Sequence, residues 1–274
     1  MGRRLFVFLS TLLLVGLYFS FLTADILTGD PYHLFSRIAK YLCILLCLGL
    51  TLAIGPEGHD RRDTWTLRLA FLLTAIADFV IGILGHFVAG VAVFFLVQLV
   101  YIVRHSRGFV WNRKEAISAL LTFGTVGAIF LYIYPGLVKA GVFWPVLVYA
   151  LVLAASLWLA IGTIWRKFFP HTMDYFIAGG MLAFFLCDLN VGLASSLQKD
   201  GMTFFYSFFE IQGQVRGADF VAVELAIPYT LRSIVGILVW FFYLPAQFLL
   251  ALSGFRVAFL RSVYPLVPDL KEQD

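Results

Sequence analysis

Charge is scarce in this chain. Only 13% of its 274 residues are Asp, Glu, Lys or Arg, while 61% are hydrophobic; a soluble domain is closer to a quarter charged and half apolar. That deficit argues against a water-soluble enzyme. Cysteine is rare too. Cys43, Cys47 and Cys187 all fall in apolar stretches, which leaves no disulfide framework or cysteine zinc site and points to small, soft packing residues. The histidines are few: His33, His59, His86, His105 and His171 lie near segment ends or in loops, and none forms an H-x-x-x-H pair. A histidine-ligated zinc hydrolase is therefore poorly supported, and neither a metal nor another cofactor is expected. No G-x-S-x-G elbow appears. A phosphate-cradling glycine loop is also missing; the 23 glycines sit mostly inside apolar segments, where they permit close helix approach. The net charge of +4 comes from basic residues scattered at segment ends, which does not describe a nucleic-acid surface.

What the chain has instead is long apolar blocks and a mean hydropathy of +0.92. The blocks run about 18–24 residues, the length that crosses ~30 Å of hydrocarbon at ~1.5 Å per residue. The expected fold is all-α, a single polytopic bundle over residues 1–274 with eight spans: Leu5–Leu27, Leu34–Ile54, Thr64–Gly85, Phe87–Val103, Glu115–Tyr134, Val142–Trp165, Asp174–Leu197 and Leu231–Leu252. The first span has the two arginines and small residues of a secretory signal peptide, but its apolar run is long for one, and a retained helix is expected. Short links make consecutive spans antiparallel neighbours, with Gly85-His86 as a tight hairpin. Eight spans place 14 of the 20 basic residues on one face and 6 on the other, which puts both termini in the cytoplasm by the positive-inside rule. The connection from Gln198 to Thr230 is long and aromatic; it reads as an interfacial helix leading to a kink near Pro228, or as a re-entrant lid. The plasma membrane is the simplest location, with the endoplasmic reticulum open, and the oligomeric state is not fixed by the sequence.

Two acidic residues lie inside spans: Asp78 in LAFLLTAIADFVIGILG and Asp188 in GGMLAFFLCDLNVGLASS. A carboxylate in hydrocarbon costs roughly 3 kcal/mol on insertion scales, so such a group usually faces a cavity, a partner or a substrate. Both helices enter from the same side, and both aspartates fall a few residues past the middle, at matched depth. Two carboxyl groups sharing a dry site cannot both ionise cheaply, so one stays protonated near neutrality while the other can be charged, which suits general acid–base work. Hydrogen-bonded packing between helices is the plainer alternative. Other polar groups keep helical spacing: Gln98 with Tyr101, Tyr243 with Gln247, and Asn190 two residues after Asp188. Each is a candidate for orienting substrate or water, and interhelical hydrogen bonding competes for each. Lys40, near the outer end of the second span, is expected to snorkel or to meet an anionic head group, snorkelling being the simpler.

The same segments carry a resemblance. ADFVIGILGHFVAGVAVFFLVQLVY, GGMLAFFLCDLNVGLA and WFFYLPAQFLLALSG, with RIAKYLCILL as a weaker patch, resemble the acidic, tyrosine- and glutamine-bearing helices of the YhhN/TMEM86 family of lysoplasmalogenase-like membrane proteins. Departures are Gln98 where a histidine is usual, Cys187 for serine, and Tyr41 where proline usually follows the lysine. The resemblance implies hydrolysis of the vinyl-ether bond of a lysophospholipid, the lysoplasmalogen, to a fatty aldehyde and a glycerophospho-alcohol. In that reading Asp188 is the acid and Asp78 the base, with Gln98, Tyr101, Asn190, Tyr243, Gln247 and Lys40 around the substrate. A proton-coupled transporter or lipid-translocating protein using the same aspartates is the alternative, disfavoured by the lack of an inverted repeat.

Overall fold

The computed structural model describes residues 2–31, 33–139, 143–198 and 231–264. The aromatic connection, read as an interfacial helix or a lid, lies outside the described residues, as does Val142 at the expected start of the sixth span. Within the described residues the elements are α1 (Gly2–Thr28), α2 (Leu34–Ala53), α3 (Arg61–Asp78), a π-helical turn (Phe79–Ile83), α4 (Phe87–His105), α5 (Arg113–Lys139), α6 (Phe143–Arg166), α7 (His171–Gln198), α8 (Leu231–Leu252) and a short α9 (Val257–Val263). No strand occurs among them, and eight of these helical segments are long and apolar enough to cross a membrane. This is an all-α integral membrane bundle. The expected spans fall within the observed helices to within a few residues, although α5 runs five residues beyond Tyr134.

The packing order shows where a site can sit. α2, α3, α4, α6, α7 and α8 contact one another in a closed ring, α1 lies over α2 and α8, and α5 packs on the outside of α6. Large apolar side chains turned away from the ring, such as Leu12, Leu120 and Leu131, stay exposed as a lipid-facing surface should. α7 and α8 form the most extensive pair. Gly180 permits it: a β-carbon there would come within 2.8 Å of Leu250 Cγ and 3.2 Å of the Ala246 carbonyl oxygen.

One end of the bundle, where α1 begins and α2 ends, is tied by ion pairs. Arg104 donates Nε and Nη2 to the two Asp63 carboxylate oxygens at 2.8 and 3.2 Å, and Nη1 to Ser253 Oγ at 2.8 Å. Both members of this pair are fully buried. Arg104 falls one residue past the expected fourth span, Phe87–Val103; in the structure it is the penultimate residue of α4 and joins α3 to the end of α8. Glu115 at the start of α5 pairs with Arg166 at the end of α6 and also accepts from the Trp165 indole. Asp60 caps α3 by accepting from Asp63 N, and the Arg107 guanidinium beside it holds its carboxyl down at about 2.

Candidate active site

Asp78 is the last residue of α3, and the chain changes geometry immediately after it. Leu84 N bonds to Phe79 O, five residues back, in place of the α-helical four. Such widened turns recur at functional sites. The turn is held from outside: Arg37 of α2 donates to the Gly82 carbonyl, and Gly90 lets α4 approach Ile81 so closely that a β-carbon would meet Ile81 Cγ1. Gly85, at φ +74°, then turns the chain into α4.

Asp188 stands on α7. Each aspartate lies seventeen residues beyond the first residue of its helix, Arg61 for Asp78 and His171 for Asp188. Both helices start at the same end of the bundle, so both carboxyl groups lie ~26 Å along their axes. The equal count from the two helix starts accords with the matched depth expected from the sequence, and the observed helices put both residues further past the centre.

A tyrosine hydroxyl holds each carboxyl group. Tyr243 of α8 donates to Asp78 Oδ2 at 2.6 Å, and Tyr149 of α6 donates to Asp188 Oδ2 at 2.8 Å. The two halves belong to one neighbourhood, because both carboxyl groups lie within electrostatic reach of Tyr243 and of Cys187. Asp78 also reaches Tyr41 and Cys47 on α2. Both aspartates are half-buried, while Tyr243 and Cys187 are buried. Phe184, Phe94 and Trp240 stand edge-on to the Tyr243 ring at 5.7, 6.1 and 5.2 Å and fix its plane.

The remaining expected residues divide. Gln98 is fully buried, accepts from Ser156 Oγ at 2.6 Å and adjoins Tyr149, so it borders the Asp188 half. Tyr101, one turn below, stacks on His105 at 5.3 Å and meets Phe184 edge-on. Gln247 is fully buried, and its amide makes no hydrogen bond among the described residues; it sits one turn below Tyr243 on the same face. Asn190 bonds back to Leu186 O of its own helix at 2.7 Å.

Lys40 does not snorkel. It is 3% exposed, pairs with Asp25 of α1 at 2.7 Å, donates to Pro31 O, and lies 5.2 Å from the Trp240 ring centre. A buried carboxylate and an aromatic face hold the ammonium more firmly than a route to the interface. Through Trp240 this ion pair adjoins the ring cluster around Tyr243.

Sequence reasoning missed Tyr149, Ser156, Asp25 and Trp240. Tyr149 and Ser156 did carry a signal: two hydroxyls seven residues apart, on one face of the otherwise apolar VYALVLAAS. Asp25 lies inside the expected first span, two residues from its end at Leu27, and was not singled out there. In the structure it is fully buried in the last turn of α1.

Pro245 explains how α8 presents its polar face. Lacking an N–H, it leaves the Phe241 carbonyl without an intrahelical donor, and Tyr18 Oη of α1 supplies one at 3.2 Å.

No curated protein and no solved structure matches the chain. The YhhN family does, over residues 35–206. That stretch runs from α2 past Asp188 and carries both aspartates, Gln98, Tyr101 and Tyr149, while Tyr243 and Gln247 lie beyond it. With well over half its length matched and the acidic helices inside the match, this chain belongs to the YhhN family.

Proposed function

We propose that this membrane protein hydrolyses the vinyl-ether bond of lysoplasmalogens, releasing a fatty aldehyde and a glycerophospho-alcohol. The observation that supports the reading is that Asp78 and Asp188, from helices far apart in sequence, both lie within electrostatic reach of Tyr243 and Cys187, each carboxyl held by its own phenol.

The chemistry asks for two carboxyl groups in different protonation states. Protonated Asp188 delivers its proton to the β-carbon of the vinyl ether, leaving an oxocarbenium ion at the α-carbon. Water adds to that carbon and gives a proton to the Asp78 carboxylate, forming a hemiacetal. As the hemiacetal collapses, the bond from the α-carbon to the glycerol oxygen breaks. Asp78 returns its proton to that oxygen while Asp188 takes the hydroxyl proton, so both groups end as they began. A fixed carboxylate near the cation stabilises it more in a dry site than in water. The phenol hydroxyls hold each carboxyl by one oxygen and set the direction of the other.

Purified protein incubated with lysoplasmenylethanolamine is expected to release aldehyde. Asp78→Asn and Asp188→Asn each cut turnover to a small residual rate while thermal unfolding in detergent stays near native. An inactive native chain across lysoplasmalogen head groups overturns the reading.

A further inference from the structure

A cleft opens at the end of the bundle where α1 begins, far from the aspartates. It encloses about 420 Å³ between the loop after α2, the first turns of α3 and the residue preceding α9. Its walls carry the guanidinium groups of Arg61, Arg68 and Arg256, together with His59 and Trp65. The acid that also lines it, Asp60, is bound to Arg107, so the cleft is strongly positive.

Two of these guanidinium groups are fixed in place. Arg68 spans the terminal carbonyls of α2, donating Nη2 to Leu52 O at 3.0 Å and to Ile54 O at 2.6 Å. Arg256 donates Nε to Gly58 O at 3.2 Å, and its own N–H bonds to Glu57 O at 2.7 Å. Those bonds leave Nη1 of Arg68 outside them and hold the planar groups ready for a tetrahedral anion.

The surface beside the cleft identifies the anion's source. Trp65 is 58% exposed and stacks under Arg68, with 5.2 Å from the guanidinium carbon to the ring centre. Below it along α3, Leu69, Leu72 and Ile76 are exposed at intervals that keep one helix face. A polar anion site thus opens directly onto an apolar track, with an interfacial tryptophan at the join.

We infer that this cleft binds the phosphate head group of an anionic membrane phospholipid, whose acyl chain lies along the exposed face of α3. The ligand is not the substrate under hydrolysis. The cleft runs along α3 from Arg61 to Arg68, and Asp78 ends the same helix, ~15 Å beyond Arg68 and ~26 Å beyond Arg61 along its axis. In a lysoplasmalogen only a few bonds of ~1.5 Å each separate the phosphate from the vinyl ether. One molecule cannot reach both places, so the inference stands apart from the proposed reaction.

The test uses the full chain in nanodiscs of phosphatidylcholine with and without phosphatidic acid, reading retained lipid by native mass spectrometry. The native chain keeps phosphatidic acid in preference to phosphatidylcholine. Arg61→Gln, an exposed position at the start of α3, weakens that preference about fivefold, the scale of one cation lost beside an anionic lipid. Arg113→Gln with Lys114→Gln, at the exposed start of α5, leaves it unchanged, as does Asp78→Asn. Absence of preference in the native chain, or equal loss in the α5 control, overturns the proposal by reducing it to general surface charge. Complete competition by millimolar inorganic phosphate also overturns it, by showing that the cleft takes a soluble anion. Thermal unfolding of Arg61→Gln near the native midpoint ensures that lost binding is not lost fold.

Discussion

Tyr149→Phe deletes one oxygen and leaves the ring. The oxygen donates at 2.8 Å to Asp188 Oδ2 in a half-buried site on α6. Asp188 becomes charged as it gives up its proton, a hydrogen bond to a charged group contributes about 1.5–3 kcal/mol, and ~1.4 kcal/mol is tenfold in rate. If the bond holds Asp188 in its working orientation throughout the reaction, kcat/KM for aldehyde release falls roughly 10- to 150-fold. Gln98 and Ser156 border the same tyrosine and keep their own bond at 2.6 Å, so the pocket does not collapse. The assay is aldehyde release at substrate below KM, beside the unfolding midpoint in detergent. The residual activity of Asp188→Asn gives the sharper comparison. In that background the carboxylate is gone, and Tyr149→Phe is expected to change the rate by less than about threefold, since residues acting as a unit are non-additive. A fall of less than threefold in the otherwise native chain refutes the role assigned to Tyr149. The full loss repeated in the Asp188→Asn background also refutes it, because Tyr149 would then be acting without Asp188.

Breaking the buried pair by Asp63→Asn is expected to destabilise the bundle by about 3–5 kcal/mol, read from unfolding in mixed micelles, with Asp63→Leu combined with Arg104→Met recovering most of it. Gln247→Leu replaces a buried amide that has no hydrogen-bond partner among the described residues; it should be neutral or stabilising yet lower kcat/KM if that amide orients substrate or water. Gly180→Val is expected to lose about 1–3 kcal/mol by overpacking against Leu250, with a larger loss of activity because α7 and α8 carry Asp188 and Tyr243. Asp60 titrates at about 2 in the fold, beside Arg107, against ~3.9 when unfolded. Its folded value is the lower, so its contribution is present above pH ~4 and fades as the pH falls towards 2. Arg107→Gln should therefore unfold at a lower midpoint than the native chain at pH 6, and the gap should close near pH 2.

Hydropathy made the spans legible because a run of some twenty apolar residues has few alternatives to crossing a bilayer. The shared depth of Asp78 and Asp188 was also legible, since a count along two helices entering from one side needs no tertiary knowledge. What stayed hidden depends on pairs. Asp63 and Arg104 are 41 residues apart, and Glu115 and Arg166 are 51 apart; in sequence each looks like a charge at a segment end, and only packing shows that they neutralise one another. Lys40 followed the same pattern. Its position near a helix end favours snorkelling until Asp25, on another helix, is brought to 2.7 Å. The turn after Asp78 left no compositional mark, because a π-helical turn uses the same residues as its α-helical neighbours.

That turn sets the heading at which the chain leaves α3. A π-helical turn takes up a residue that a regular helix would not need, and each helical residue advances the chain by ~100° about the axis. Deleting one residue between Phe79 and Ile83 would let the regular coil run on, and everything downstream would depart about 100° off its present azimuth. The hairpin would then aim α4 at a different side of α3, carrying Gln98 away from Ser156 and Arg104 away from Asp63. A chain one residue shorter here would keep nearly every apolar residue and still lose its interior wiring.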